Sequence, residues 1–228
     1  MTLCVIFIYP LCIKPIVEIG KATRKISLKL QEKVSSASAF LNESFSAIRV
    51  IKTYNLEDLQ KEKANQKLVL SAALLHDIIS YPKSSKRSKL SSIESAKKSK
   101  SILKKYDFTI EEINIISDAI AEHSFAQNKI PQTIEGKILQ DADRLDALGA
   151  IGIARVFATS GSLNRPFYNL DDPFCNARNP NDNLWAVDHF FNKLFKLEFM
   201  MNTKSGKIEA KKRTKILKLF LKQLKAEI

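Results

Sequence analysis

The sequence predicts an all-α protein. Long stretches built mainly from Leu, Ile, Ala, Lys and Glu favour helix, only six Gly and seven Pro interrupt 228 residues, and apolar residues recur at helical spacing. That glycine and proline usage also excludes a collagenous or Gly-rich repeat architecture. With 45% hydrophobic and 27% charged residues, the chain can bury a core and is not a disordered tail. Lys and Arg outnumber Asp and Glu 37 to 24, a formal charge of +13 that suits polyanions without choosing among nucleotides, nucleic acid and anionic lipid. Cys4, Cys12 and Cys175 are too few and too scattered for a disulfide framework or a CxxC metal knuckle, so a reducing compartment is expected.

In chain order, Thr2 to Ile13 is almost wholly apolar, but Pro10, Lys14 and Pro15 cut it short of the roughly 20 apolar residues a membrane span needs. Its positive residues come after the apolar run rather than before it, which argues against export and sets the remainder of the chain in the cytoplasm. Association of residues 2–19 with the inner face of a membrane, or burial against another subunit, are the two expectations for this stretch. Between Gly20 and Ile51, the residues Ile26, Leu30, Val34, Ala37, Leu41, Phe45 and Ile48 predict one long amphipathic helix whose apolar stripe needs a partner.

From Lys67 the sequence changes style. LVLSAALLHDII reads as a buried helix, and the basic, serine-rich run from Lys83 to Lys105 as a solvated loop and helix face. Ser91 with Glu94, and Thr109 with Glu112, are spaced as capping boxes, the second ahead of Ile113, Ile116 and Ile120 on one face. Ile134 to Ala158 has helical periodicity throughout. Ser160 to Asn183, with Gly161, Pro166, Pro173 and Pro180, reads as a long loop. The tail from Leu184 returns to helix, with a turn at Asn202 to Gly206.

Two clusters carry chemistry. His76 and Asp77 come directly after Ala72, Ala73, Leu74 and Leu75 in an apolar helix, where two ionisable groups are costly unless paired or bound to a metal. In QDADRLDALGAIGIAR, Asp141, Asp143 and Asp146 sit at offsets of two and five, so they cannot share one helix face and one should point inward. An inward Asp meeting His76 and Asp77 would supply the mixed imidazole and carboxylate set that divalent metals accept. Such a metal would acidify a water and polarise a phosphoryl oxygen. Arg144 and Arg155 could hold phosphate bidentately or pair with Asp141 or Asp146.

These residues carry two resemblances. The stretch running through Glu43, Ser44, Ile48, Arg49, Val50, Ile51, Lys52 and Tyr54 to Glu57 resembles the permease part of ABC exporters, over residues 1 to about 66. No GxxxxGK[ST] phosphate loop accompanies it, so transport by this chain alone is not expected. Residues 67–228 resemble the all-helical HD-domain metal-dependent phosphohydrolases, through AALLHDI at Ala72 to Ile78, AI-x-x-HSF at Ala119 to Phe125, and ILQDADRLDALGAIGIAR at Ile138 to Arg155. DDPF at Asp171 to Phe174 and DHFFNKLFKL at Asp188 to Leu197 also fit that subgroup.

The resemblance implies an HD-domain helical bundle preceded by a long amphipathic, partly membrane-like helix. It implies His76, Asp77 and Asp143 as ligands of a divalent cation (Mn, Mg, Fe, Ni or Co), with Asp141 the lesser choice for the distal Asp. Asp77 and His123 become catalytic residues, His123 as a group that orients substrate or else closes a helix end, and Arg144 and Arg155 become substrate-binding residues. His189 reads as a packed residue on the aromatic face of Trp185, Phe190 and Phe195. One departure stands out. The family's metal site takes a further His some tens of residues before the HD pair, and no His precedes His76 here. Loss of a ligand weakens metal affinity, and Glu57 or Glu62 are the side chains near the join that could stand in. Two functions result: a phosphohydrolase acting on a nucleotide or other small phosphorylated molecule, impaired to the extent that the missing His matters, or a non-catalytic, membrane-associated exporter remnant joined to an inactive HD scaffold. Nucleic acid is the least expected partner, because the basic charge lacks aromatic interleaving.

Overall fold

The computed structural model describes residues 62–81 and 85–228, with Glu18, Lys21 and residues 23–25 as short helical pieces. The chain divides into two compact units, Met1–Phe45 and Ser46–Ile228. The apolar run at 2–13, and all but those few positions of the amphipathic pattern at 20–51, lie outside the described residues. Among the described residues there is no strand, and no helix is long and apolar enough to cross a membrane.

The second unit is built from α1 (Gln66–Leu75), α2 (Ser91–Leu103), α3 (Ile110–Glu122), α4 (Ile134–Asp146), α5 (Gly149–Ser162), a one-turn α6 (Phe195–Leu197) and α7 (Lys204–Glu227). A π-helical turn at Phe190–Leu194 leads into α6. The helices α3 and α4 form the centre: α3 packs on α1, α2 and α4, while α4 also touches α1, α5 and α7. Their inner faces carry Ile113, Ile116, Ile120, Ile138, Leu139 and Leu145, all buried. Each such side chain taken from water contributes roughly 1.5–3 kcal/mol.

Local signals explain most of the helix starts. Thr109 and Glu112 close the expected capping box on α3, each side chain bonding the other's backbone N–H. Thr133 and Thr203 cap α4 and α7 one way only, their Oγ1 atoms accepting the Gly136 and Gly206 N–H. The Ser91–Glu94 pair does something else. Ser91 is the first residue of α2, its Oγ accepts the Tyr81 N–H, and Glu94 takes the Tyr81 hydroxyl and the Arg87 guanidinium. Together with the Ser95 Oγ bonds to Ile79, these contacts tie the segment after Asp77 onto α2.

The expected single helix from Ile134 to Ala158 is two. Ala147 and Leu148 close α4, and Gly149 at φ +73° turns the chain into α5. Only a residue without Cβ adopts that conformation cheaply, and the Arg213 side chain lies 3.4 Å from where a Cβ would stand. The loop expected after Ser160 begins at Leu163 and folds back on itself. Ala186 N–H and Val187 N–H donate to the Pro166 and Phe167 carbonyls, and the fully buried Asp188 accepts from Arg178 Nη2 at 2.7 Å.

Candidate metal centre

Both HD-region helices end in histidine. His76 is the C-cap of α1 and His123 the C-cap of α3, so the apolar helix that was to carry the HD pair in its interior stops one residue before it. The last turn of a helix leaves carbonyls without intrahelical donors. His76 Nδ1 meets the Ala73 carbonyl at 2.8 Å and His123 Nδ1 meets the Ile120 carbonyl at 2.7 Å, the same i−3 contact in both helices. A carbonyl only accepts, so Nδ1 carries the proton in each ring. In the neutral imidazole, Nε2 is then the lone-pair atom.

The two Nε2 atoms turn toward one another and toward Asp77. His76 Nε2 lies 3.5 Å from Asp77 Oδ2, His123 Nε2 4.0 Å from Asp77 Oδ1, and the rings stand edge to face with centroids 5.1 Å apart. One ligand atom from each of His76, Asp77 and His123 falls within 4.8 Å of the others. The rings are 2% and 5% exposed, whereas the Asp77 side chain is 48% exposed and faces solvent. Burial holds the His123 imidazole below its ordinary pKa, against the pull of the Asp143 charge. A lowered pKa favours the neutral, ligating form. The negative ends of two helix dipoles also converge here, which favours a cation. The donor set, the fixed tautomers and the open carboxylate all fit a divalent cation.

By distance, the grouping contains His123 in place of Asp143. Asp143 is partly buried on α4, outside the 4.8 Å cluster, yet its charge acts on His123. Of the three carboxylates Asp141 is the fully buried one, and it is not part of the His76, Asp77 and His123 grouping. Its oxygens accept from the Asn202 N–H and Nδ2 and from the Thr203 N–H and Oγ1, all within 3.1 Å, binding the start of α7 to α4. Burial raises its pKa and those four donors oppose the rise.

Arg144 is buried and donates to the Met200 carbonyl. Arg155 pairs with Asp146, the duller of the two expectations for it, while its side chain stays 56% exposed and lines a cleft. His189 is not simply packed: its Nδ1 meets Asp182 at 2.7 Å beside that cleft. Glu62, one of the suggested stand-ins for the missing His, accepts the Ser205 N–H in the first turn of α7, and Glu57 lies outside the described residues. The i−3 relation between His123 and a carbonyl was in principle readable, but its meeting with α1 depends on packing of residues 47 apart.

The helical bundle thus carries a His–Asp step at one helix end and a second helix-end His beside it. The HD domain family matches residues 23–148. The chain belongs to that family and has the fold of an HD-superfamily hydrolase. It is similar to YpgQ of Bacillus subtilis, 35% identical over 179 residues that cover 74% of this chain and 76% of YpgQ. An HD-superfamily hydrolase from Bacillus thuringiensis superposes with a TM-score of 0.62 at 34% identity, covering 80% of this chain and 84% of that one. The crystal structure of YpgQ in complex with ADP gives a TM-score of 0.60 at 32% identity, over 81% of this chain and 88% of YpgQ. Part of the chain is also 35% identical, over 68 residues, to an ATP-dependent lipid A-core flippase of Desulfotalea psychrophila, 30% of this chain and 12% of the flippase. The HD match starts at residue 23, so it overlaps the exporter-like stretch expected to reach about residue 66.

Proposed function

We propose that this chain is a divalent-metal-dependent phosphohydrolase acting on a nucleotide or another small phosphorylated molecule. The carrying observation is the His76, Asp77 and His123 grouping, with both Nδ1 atoms tied to carbonyls and both Nε2 atoms left to ligate. His76 and His123 would hold the cation through Nε2 and Asp77 through a carboxylate oxygen, with Asp143 adding negative charge beside His123. When bound, such a cation supplies Lewis acidity toward a phosphoryl oxygen and lowers the pKa of a water. The protein's own part is to aim both Nε2 atoms, to favour the neutral form of His123 by burying it, and to present the exposed Asp77 carboxylate as an acceptor for a proton at the mouth of the site. The ADP bound by YpgQ supports a nucleotide as substrate. No His precedes His76 and Glu62 is engaged elsewhere, so we read the ligand set as short of the family's full complement and its metal affinity as correspondingly weaker.

Metal content after loading with Mn and desalting, together with phosphate or pyrophosphate release from a nucleotide panel, tests this reading. The chain is expected to retain metal and His76→Ala to lose about 100-fold in affinity or more. No retained metal and no release from any nucleotide would overturn the proposal. The likeness to a flippase then favours the other reading, a non-catalytic scaffold from residue 67 onward joined to an exporter-derived segment.

A further inference from the structure

α5 and the segment from Asp182 to Leu194 enclose a cleft of about 410 Å³, outside the His76, Asp77 and His123 grouping. Val156 and Leu194 give it an apolar wall, Thr159 a hydroxyl, and Arg155, Arg165 and Lys193 three cations. The one carboxylate among its lining residues, Asp182, is already held by His189 Nδ1 and Asn192 Nδ2, each at 2.7 Å. Arg155 is paired with Asp146, which is not part of the lining. Arg165 is different. Among the described residues no carboxylate pairs with it, and its Nε is closed off from solvent without a hydrogen-bond partner.

The backbone presents Arg165 in a fixed way. Asn164 at φ +50° turns the chain back, the Arg165 N–H donates to the Ser160 carbonyl at 2.8 Å, and Pro166 stiffens the next step of the chain. A guanidinium that lines a cleft with no carboxylate partner among the described residues offers an anionic ligand a planar fork of donors. Lys193 lies 4.9 Å from the centroid of the Phe125 ring, two residues beyond His123, so the cleft adjoins the chain that leaves the metal centre. The volume is that of a small-ligand pocket rather than of a site for a single ion.

We propose that this cleft binds a phosphate or diphosphate group, anchored by Arg165 and completed by Lys193 and Arg155. As a subsite for the substrate of the metal centre it rests on the phosphohydrolase reading; as an anion site it does not.

Titration calorimetry of the intact chain with inorganic pyrophosphate in EDTA isolates the cleft from any metal. Saturable binding is expected, weakened about tenfold by Arg165→Gln, less by Lys193→Gln, and partly restored by Arg165→Lys. Unchanged thermal midpoints identify the loss as local, since Arg165 sits just beyond the end of α5. Equal binding by wild type and Arg165→Gln, or no binding by wild type, overturns the site. Arg165-dependent binding in EDTA without nucleotide hydrolysis in Mn upholds the anion site while removing the phosphohydrolase reading. Hydrolysis in Mn without any Arg165 effect on pyrophosphate binding does the reverse.

Discussion

Asp141 at the α4–α7 junction and Asp77 at the ends of α1 and α3 are both carboxylates held against buried partners, yet they are arranged in opposite ways. Asp141 accepts from four donors of Asn202 and Thr203 and is fully buried. Asp77 faces two imidazole nitrogens at 3.5 and 4.0 Å, longer than good hydrogen bonds, and is half open to water. Matched lone pairs make the first region a structural joint, because any change strands several donors together. The unmatched lone pairs of the second are capacity held in place by helix-end contacts, which is what a ligand needs.

Asp141→Ala is expected to have the largest effect. It should cost about 3 kcal/mol in urea unfolding, since it leaves buried donors of Asn202 and Thr203 without an acceptor. A loss below about 1 kcal/mol would show that the junction is not the structural joint described.

A smaller effect concerns His123. Burial holds the folded-state pKa of His123 below the ordinary 6.5, so between those two values the unfolded chain binds more protons than the folded one. The stability of the metal-free protein that is linked to His123 is therefore fully present above about pH 6.5 and is lost as pH falls through the folded-state pKa. Urea midpoints measured from neutral to mildly acid pH should show this slope, and His123→Gln should flatten it. Asp143→Asn removes a charge that raises the His123 pKa, so the ring should titrate lower still in an NMR titration of the metal-free chain.

The smallest expected change is at Arg155. Its pairing with Asp146 involves a side chain 56% exposed, so Arg155→Ala should cost less than about 1 kcal/mol of stability. A larger loss would move Arg155 into the structural class alongside Asp141.

Much of this was legible in the residues. The HD pair, the ADRL segment and the Thr109–Glu112 cap are contiguous or closely spaced patterns, and the cap forms as its spacing implies. What Asp141 binds was not legible, because helical periodicity says that Asp141 and Asp143 face different ways and not what waits on either side. The break at Gly149 was hidden for a related reason: the apolar spacing runs on through Leu145 and Leu148 into α5, and only the packing of Arg213 against the turn shows why the chain bends there. Ser91 illustrates the same limit, since its hydroxyl had the spacing of a cap and is used by Tyr81.

Composition, periodicity and contiguous motifs were enough to give the helical class, the family, and the place of His76 and Asp77 in its HD motif. Packing in three dimensions added the distances that bring the His123 ring to His76 and Asp77, the use of Asp141 by α7, and the position of Arg165 beside a cleft with no partner for its Nε. Those outcomes join residues tens of positions apart, and hydrogen-bond saturation is a property of neighbours in space that no spacing along the chain encodes.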